Sequence, residues 1–179
     1  MSTTYDAGLT TLGVRVAWAL ETTAGQKPVN SGSGSSIVQP FEEVLRVNQI
    51  GGVSIDTENI DVSALVDYVT RYKPGRADTG GSFPITVNVT EDTITQWNSI
   101  ISAYYDSSAR TAGKRIWWQI THPELAKAFF VVAAPPKMIP VPETAQNEAY
   151  TIEINLVIDE LKGYDTKVEF PLRDGEVSA

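Results

Sequence analysis

The sequence contains no cysteine, so disulfides and thiolate metal sites are excluded. It contains one histidine, His122, which rules out a zinc site assembled from several imidazoles of one chain. Positive charge is scarce. There are 14 lysines and arginines against 22 acids, a formal net charge of −8, and no basic run. Such a chain as a whole repels nucleic acid. No apolar run approaches the ~20 residues of a membrane helix. The start, MSTTYDAG, lacks the cationic and apolar regions of a signal peptide. These absences lead to the expectation of a soluble protein made in a cytoplasm, without a membrane. No Walker loop, dinucleotide fingerprint or Gly-x-Ser-x-Gly elbow occurs either.

What is present suits one domain with a real core: 179 residues, 42% of them hydrophobic. The organising stretch is 83–121, which reads strand, helix, strand. Phe83, Ile85, Val87 and Val89 alternate with polar residues, the period of a half-buried strand. Thr90 then precedes Glu91 and Asp92, a hydroxyl cap followed by two acids at a helix start. Ile94, Trp97, Ile100, Ile101 and Tyr104 form one apolar stripe, which must be laid on a sheet. The helix is expected to end near Asp106-Ser107-Ser108. A second strand follows at 114–121, KRIWWQIT.

The remaining chain reads as short strands. Residues 1–13 form a small, polar N-terminal arm, and 173–179 a C-terminal tail; the single domain spans 14–172. A strand is expected at 14–20. The loop 21–36, with its SGSGSS run, reads as flexible. The stretch 37–49 has a break at Pro40, then alternation that predicts a strand ending at Gly51-Gly52, and a further short strand is expected at 53–57. The stretch 60–72 fits a helix or a strand, and its β-branched and aromatic content favours the strand. Residues 72–75, Tyr-Lys-Pro-Gly, suit a type II turn. The run 128–134, AFFVVAA, is apolar on both faces, so both faces need cover. Prolines 135, 136, 140 and 142 enforce an extended segment. Residues 150–159 form the cleanest alternating strand, and 167–171 a last short one. The sum is about nine strands and one packed helix, a mainly β sandwich or barrel.

Adjacent strand residues Trp117 and Trp118 point to opposite faces. Trp118 takes the core with Ile116 and Ile120. Trp117, and likewise one of the pair Phe129 and Phe130, must meet a second layer or another molecule; Trp117, Phe129 and Phe130 are therefore candidate subunit-interface residues. His122, standing before a proline, reads as a turn residue rather than a catalytic base. The acids are scattered over strand faces, as solvated surface carboxylates are. The residues point to no catalytic, cofactor-binding or metal site.

The order of motifs from 60 onward resembles the core pattern of tailed-bacteriophage major tail proteins, the tail tube proteins, in their siphovirus-like form. Ile60-Asp61-Val62-Ser63 matches an isoleucine-aspartate-valine-threonine start, with serine for threonine. Pro74-Gly75 matches a turn, and Asp78 with Gly80-Gly81 an aspartate-glycine step. The helix at 91–106, KRIWWQIT and AFFVVAAPP follow in the same order, so the likeness covers about 14–170. The resemblance implies a non-enzymatic virion subunit of a long-tailed phage. Six copies would form a ring, and rings would stack into a tube around a channel through which DNA passes without specific binding. Tape-measure, tail-completion and baseplate or tip proteins would be partners, and no cofactor is implied. The polar strand faces would line the channel, with Asp61, Asp67, Glu153 and Asp159 as candidate lumen acids. A β-sandwich carbohydrate-binding module built on exposed aromatics is the alternative, and an acid-pair glycosidase a third.

Overall fold

The computed structural model describes residues 9–33, 36–142, 144 and 148–173. They form nine strands and two helices: β1 (Arg15–Leu20), β2 (Glu42–Glu43), β3 (Val47–Ile50), β4 (Asp56–Asp61), β5 (Tyr72–Asp78), β6 (Ser82–Asn88), α1 (Glu91–Tyr105), α2 (Ser107–Thr111), β7 (Ile116–Thr121), β8 (Lys127–Ala134) and β9 (Thr151–Thr166). Seven strands make one antiparallel sheet in the order β2-β1-β7-β8-β9-β6-β3, and β4 pairs only with β5. The chain is mainly β, as its alternating runs require.

The sheet curls because its two edge strands belong to one short segment. Only residues 44–46 separate β2, which pairs with β1, from β3, which pairs with β6. The kink is made by Arg46, whose φ of 54° lies in the left-handed region. This corrects the expectation of one strand after the Pro40 break of 37–49: a single straight strand cannot serve both edges. Two irregularities in the β8–β9 register add curvature, at Phe130/Val131 and Val132/Ala133. They leave Lys162 and Asp159 as extra residues on β9. Gly163, at φ 75°, sits beside the first of them, where a side chain would be strained.

The inside of the curl is the main core. Val16, Phe83, Ile85, Val87, Ile116, Trp118, Val131, Ile152, Ile154 and Leu156 point into it, and α1 adds Trp97 and Ile100. Trp97 stacks on Trp118 with ring centroids 5.6 Å apart. Each indole buries ~150–250 Å², worth roughly 4–6 kcal/mol at ~25 cal/mol per Å². Thr90 caps α1 through the Thr93 backbone N–H, as its position predicts. The stripe on α1 is rotated from the expected one. Trp97, Ile100 and Ile101 are buried and Tyr104 packs on the core, but Ile94 is 39% exposed, and Thr93 and Gln96 take the buried side instead. The reason is polar. Gln96 accepts from Leu45 N (2.9 Å) and donates to Glu43 O (2.7 Å), which satisfies the backbone at the kinked seam.

A second apolar layer lies on the outside of β1, β7 and β8: Ala17, Ala19, Phe41, Trp117, Ala128, Phe130, Val132 and Val168. Its cover is the C-terminal segment 167–173, which runs as an irregular strap where a last strand was expected. Buried Gln119 holds it like a ladder partner, donating to Val168 O (2.9 Å) and accepting from Val168 N (3.3 Å). Arg173, expected in a free tail, pairs with Glu42 and Glu43.

Other boundaries move for local reasons. The expected helix end at Asp106 is a junction, because the Asp106 carboxylate caps Ser108 N (2.9 Å) and Ala109 N (3.3 Å) and starts α2. Its hydrogen bonds with Ser108 and Ala109 hold that carboxyl below its usual range. The described part of loop 21–36 is anchored rather than free: Gly25 N donates to Glu21 (2.8 Å), Lys27 to Thr166 O (2.8 Å), Asn30 to Glu169 O (3.1 Å), and Ser31 bridges to Val38. Residues 34 and 35 of its SGSGSS run, residues 1–8 of the expected arm and 174–179 of the tail lie outside the described residues. The helix-or-strand stretch 60–72 is strand only at its ends, Ile60-Asp61 in β4 and Tyr72 in β5. The chain reverses there, and the Pro74-Gly75 pair expected to turn it lies inside β5. Asp61 accepts from Ser63 N (2.8 Å), Asp67 from Ala64 N (2.8 Å), and Ser63 Oγ from Arg71 N (2.8 Å), which together build the reversal. Pro74 is tolerated because β5 belongs to a two-stranded ribbon with an open edge.

Candidate functional site

The most unusual surface is the β4–β5 hairpin. It pairs with no strand of the main sheet. Its strands are exposed almost throughout. Large apolar side chains cluster at its reversal: Leu65 (108% exposed), Tyr68 (105%), Val66 (83%) and Val69 (75%), with Ile60, Val62 and Tyr72 behind them. Scattered exposed apolar residues are ordinary, but a contiguous set on a projecting ribbon marks an interaction site. The ribbon's root places Asp56 opposite Asp78, a like-charge pair that weakens it in isolation. Single-sequence reading missed this arm because Val62, Leu65, Val66 and Val69 look like a core stripe. The available signal was the conflict itself, a stretch fitting two periods at once.

The candidate interface aromatics separate. Trp117 and Phe130 are 4% and 0% exposed, beneath the strap and the 27–41 loop, so the second layer of this chain takes them and neither ring is offered to a partner. Phe129 faces the other way and is half-buried, edge-on to the exposed Tyr164 ring at 5.2 Å.

The candidate lumen acids separate as well. Asp61 and Asp67 belong to the arm, where they cap backbone and Asp67 pairs with Arg71 at 3.5 Å. Asp61 is held below the usual carboxylate range by its hydrogen bonds to Ser63. Glu153 and Asp159 are on β9. Glu153 is exposed, faces outward beside Asn155 (3.1 Å) and stands opposite Thr86 of β6. Asn88 and Asn48 extend this outer face as a hydrogen-bonded pair (3.1 Å). Ser82, Thr86, Asn88, Asn155 and Glu153, with Pro84 and the exposed Val157 among them, thus give β6 and the first half of β9 a mostly polar outer face, low in charge. Asp159 lies at the bulge and pairs with Arg115 at 2.9 Å, a guanidinium it shares with Glu21 and Glu160.

Arg115 also organises the most deeply buried charge in the described chain. Glu21, 1% exposed, accepts from Trp117 Nε1 (2.8 Å), Gly25 N (2.8 Å), Arg115 N (3.1 Å) and Arg115 Nε (3.2 Å). Burial pushes its carboxyl up, but these donors and the guanidinium charge together outweigh burial and hold it below the usual range. Every Glu21 oxygen is filled by the protein itself, so the cluster is structural cement between β1, β7 and the loop. His122 also plays a structural part. Its Nδ1 accepts from Glu124 N (3.2 Å), which leaves Nε2–H to donate to Thr10 O (2.8 Å) and root the N-terminal segment. Leu125 N bonds back to His122 O, the expected turn.

The sequence matches no protein-family model and no curated protein. Among the described residues no group of three or more acid or imidazole side chains is arranged to hold a metal, and no helix is long and apolar enough to cross a membrane.

Proposed function

We propose that the chain is a structural, non-enzymatic subunit of a bacteriophage tail tube, which assembles with copies of itself into stacked six-membered rings around a DNA channel. The observation that carries this reading is the apolar arm. A ribbon that exposes Leu65, Val66, Tyr68 and Val69 has no stable place in water and needs a protein surface to cover it. The resemblance in residue order from Ile60 to Gly81 suggests the family, with the departure that Pro74-Gly75 lies inside β5 and not at a turn, and the curled antiparallel sheet with α1 packed on it is the kind of body that family implies. In this reading the bare outer face of β6 and β9 turns to the channel. It carries hydroxyls, amides and Glu153 rather than cations. Phosphates passing it find no lysine or arginine to release their counterions, so DNA slides. The virion is the proposed location, and the tape-measure, completion and tip proteins of a tail are the proposed further partners.

The carbohydrate-binding alternative would rest on tyrosines, since Trp97, Trp117 and Trp118 are buried and Trp18 packs partly buried on the core, while Tyr68, Tyr72, Tyr150 and Tyr164 are exposed. The test is sedimentation velocity across a wide range of protein concentration and salt, with negative-stain microscopy of the concentrated samples. Rings or tubes are expected. A monomer under every condition, with no tubes even when the initiating proteins of a tail are added, overturns the reading.

A further inference from the structure

We propose that the strap 167–173 is a latch that opens as one unit while the sheet beneath it stays folded, with the carboxylates of Glu42 and Glu43 as its catch. The device belongs to the single chain and is independent of the assembly reading above.

The strap shares little main chain with the body. It belongs to neither sheet, and among the described residues no hydrogen bond from main chain to main chain reaches it. Side chains hold it instead. Gln119 takes both polar groups of Val168, at 2.9 and 3.3 Å. Asn30 donates to Glu169 O at 3.1 Å. At the far end Glu43 accepts from Arg173 N, and Glu42 from the Arg173 guanidinium. A segment held this way can let go without breaking a ladder. Its apolar hold is also small. Val168 is buried and Phe170 packs on the second layer, but Leu172 is 46% exposed and Glu169 and Pro171 are exposed as well. Two side chains thus offset the ordering of the whole strap. By contrast, β7 and β8 are buried or half-buried throughout except at Lys127.

The catch is built to release. Separating a buried ion pair is usually costly because it strands a charge. Here each acid has a second partner that stays with the body. Glu43, 2% exposed, keeps the Arg15 guanidinium, and Glu42 keeps Gln96 Nε2 at 3.0 Å. Gln96 also keeps Leu45 N and Glu43 O, so β2 and the kinked seam stay in place. Arg46 and Asp92, which line the same polar cavity as Glu42 and Arg173, belong to the body too. The remaining charges move with the strap or lie at its hinge. Lys167 pairs with Glu169 inside the strap at 3.6 Å. Lys27 holds Asp165 at 2.7 Å and Thr166 O at 2.8 Å, just before the strap begins. Opening therefore swings 167–173 about Thr166. It uncovers Gln119, 0% exposed in the closed chain, and the row it stands in, Ala17 on β1 and Phe130 on β8. Lys27 Nζ, 4.0 Å from the centre of the Phe130 ring, stays behind as partial cover. The strap is the lid of an apolar surface that the closed chain hides.

Native-state hydrogen exchange of the full chain, read by NMR at low urea, tests this. The Val168 amide is expected to exchange about a hundredfold faster than the slowest amides of β7 and β8, and with little urea dependence, since opening exposes little surface. Arg173→Ala is expected to speed Val168 exchange about tenfold and to leave the β7 and β8 amides unchanged. Lys167→Ala removes a strap charge outside the catch and is expected to change Val168 by less than about twofold. If Val168 exchanges with the rate and urea dependence of the sheet, strap and sheet are one cooperative unit and the proposal is overturned. If Arg173→Ala leaves Val168 unaltered, or Lys167→Ala speeds it as much, Glu42 and Glu43 are not the catch and the proposal fails on that count.

Discussion

Glu21 and Arg115 show how one buried ion pair ties three segments together. Glu21 follows β1, Arg115 precedes β7, and Arg115 also reaches Asp159 (2.9 Å) and Glu160 (3.2 Å) on β9. Lys162 draws Glu160 below the usual carboxylate range first, and Arg115 adds to it; Lys27 does the same for Asp165. For Glu21, Glu160 and Asp165 the folded carboxyl is more acidic than the unfolded one. As pH falls the unfolded chain takes up the protons first, so their stabilisation is complete at neutral pH and drains as pH drops from about 4.5 through the lower folded values. Urea midpoints are expected to hold level from pH 7 to 5 and fall steeply below. Glu21→Gln weakens the buried acceptor of Trp117, Gly25 and Arg115, while Arg115 keeps Asp159 and Glu160, and is expected to lower stability by about 1–3 kcal/mol at pH 7, while flattening the acid-side loss. An unchanged acid profile in that variant would show that other carboxylates govern it.

Among the elements, the strap 167–173 and helix α1 make contrasting contributions. Helix α1 adds bulk to the core, and Trp97→Ala is expected to cost about 3–5 kcal/mol through the cavity beside Trp118. The strap adds cover, and its hold is polar. Gln119→Leu fits the apolar second layer but deprives Val168 of both backbone partners. About 1–3 kcal/mol of stability is expected to be lost, together with faster hydrogen exchange at Val168 and increased accessibility of Trp117 to a fluorescence quencher. Retained protection at Val168 would mean that apolar packing of Val168 and Phe170 suffices. The arm belongs to a third class. It adds nothing to either core, so Leu65→Asp with Tyr68→Asp is expected to leave the thermal melt of the monomer within about 0.5 kcal/mol of wild type.

At the scale of the whole molecule, the proposed channel face separates from the acids first grouped with it. Asp61 and Asp67 build the arm and Asp159 pairs with Arg115, so in the proposed tube Glu153 would be the carboxylate left to face DNA. Six-fold repetition would set six copies of Glu153 around a bore. Their repulsion is screened over about 8 Å at physiological ionic strength, so assembly tolerates it. Glu153→Lys is expected to leave ring formation intact and to slow DNA ejection from assembled particles. Ejection at the normal rate would place this face away from the channel. Asp159→Lys is a different experiment, because it removes a partner of Arg115 and is expected to weaken the fold by about 1 kcal/mol.

Much of the body of the fold was legible in the residues themselves. Period-two alternation in 83–89 and 150–158 and the capped stripe after Thr90 are local patterns, and local backbone geometry dictates how they bury. The absence of cysteine and the scarcity of histidine and basic residues bound the chemistry without any structure. Decisions that depend on what lies across space were not legible. Trp117 and Phe129 look alike in sequence, each next to another aromatic, yet a strap from 50 residues downstream covers the first while the second lines a groove. The run 60–72 has the composition of a core strand, but no element arrives to cover it, and the backbone caps made by Asp61, Asp67 and Ser63 turn it into the tip of an arm. The kink at Arg46 follows from a demand no local propensity expresses: one segment must finish both edges of a curled sheet. Periodicity determines which side of an element is apolar. Only the tertiary structure decides what meets that side, because burial is a property of the neighbours and not of the residue.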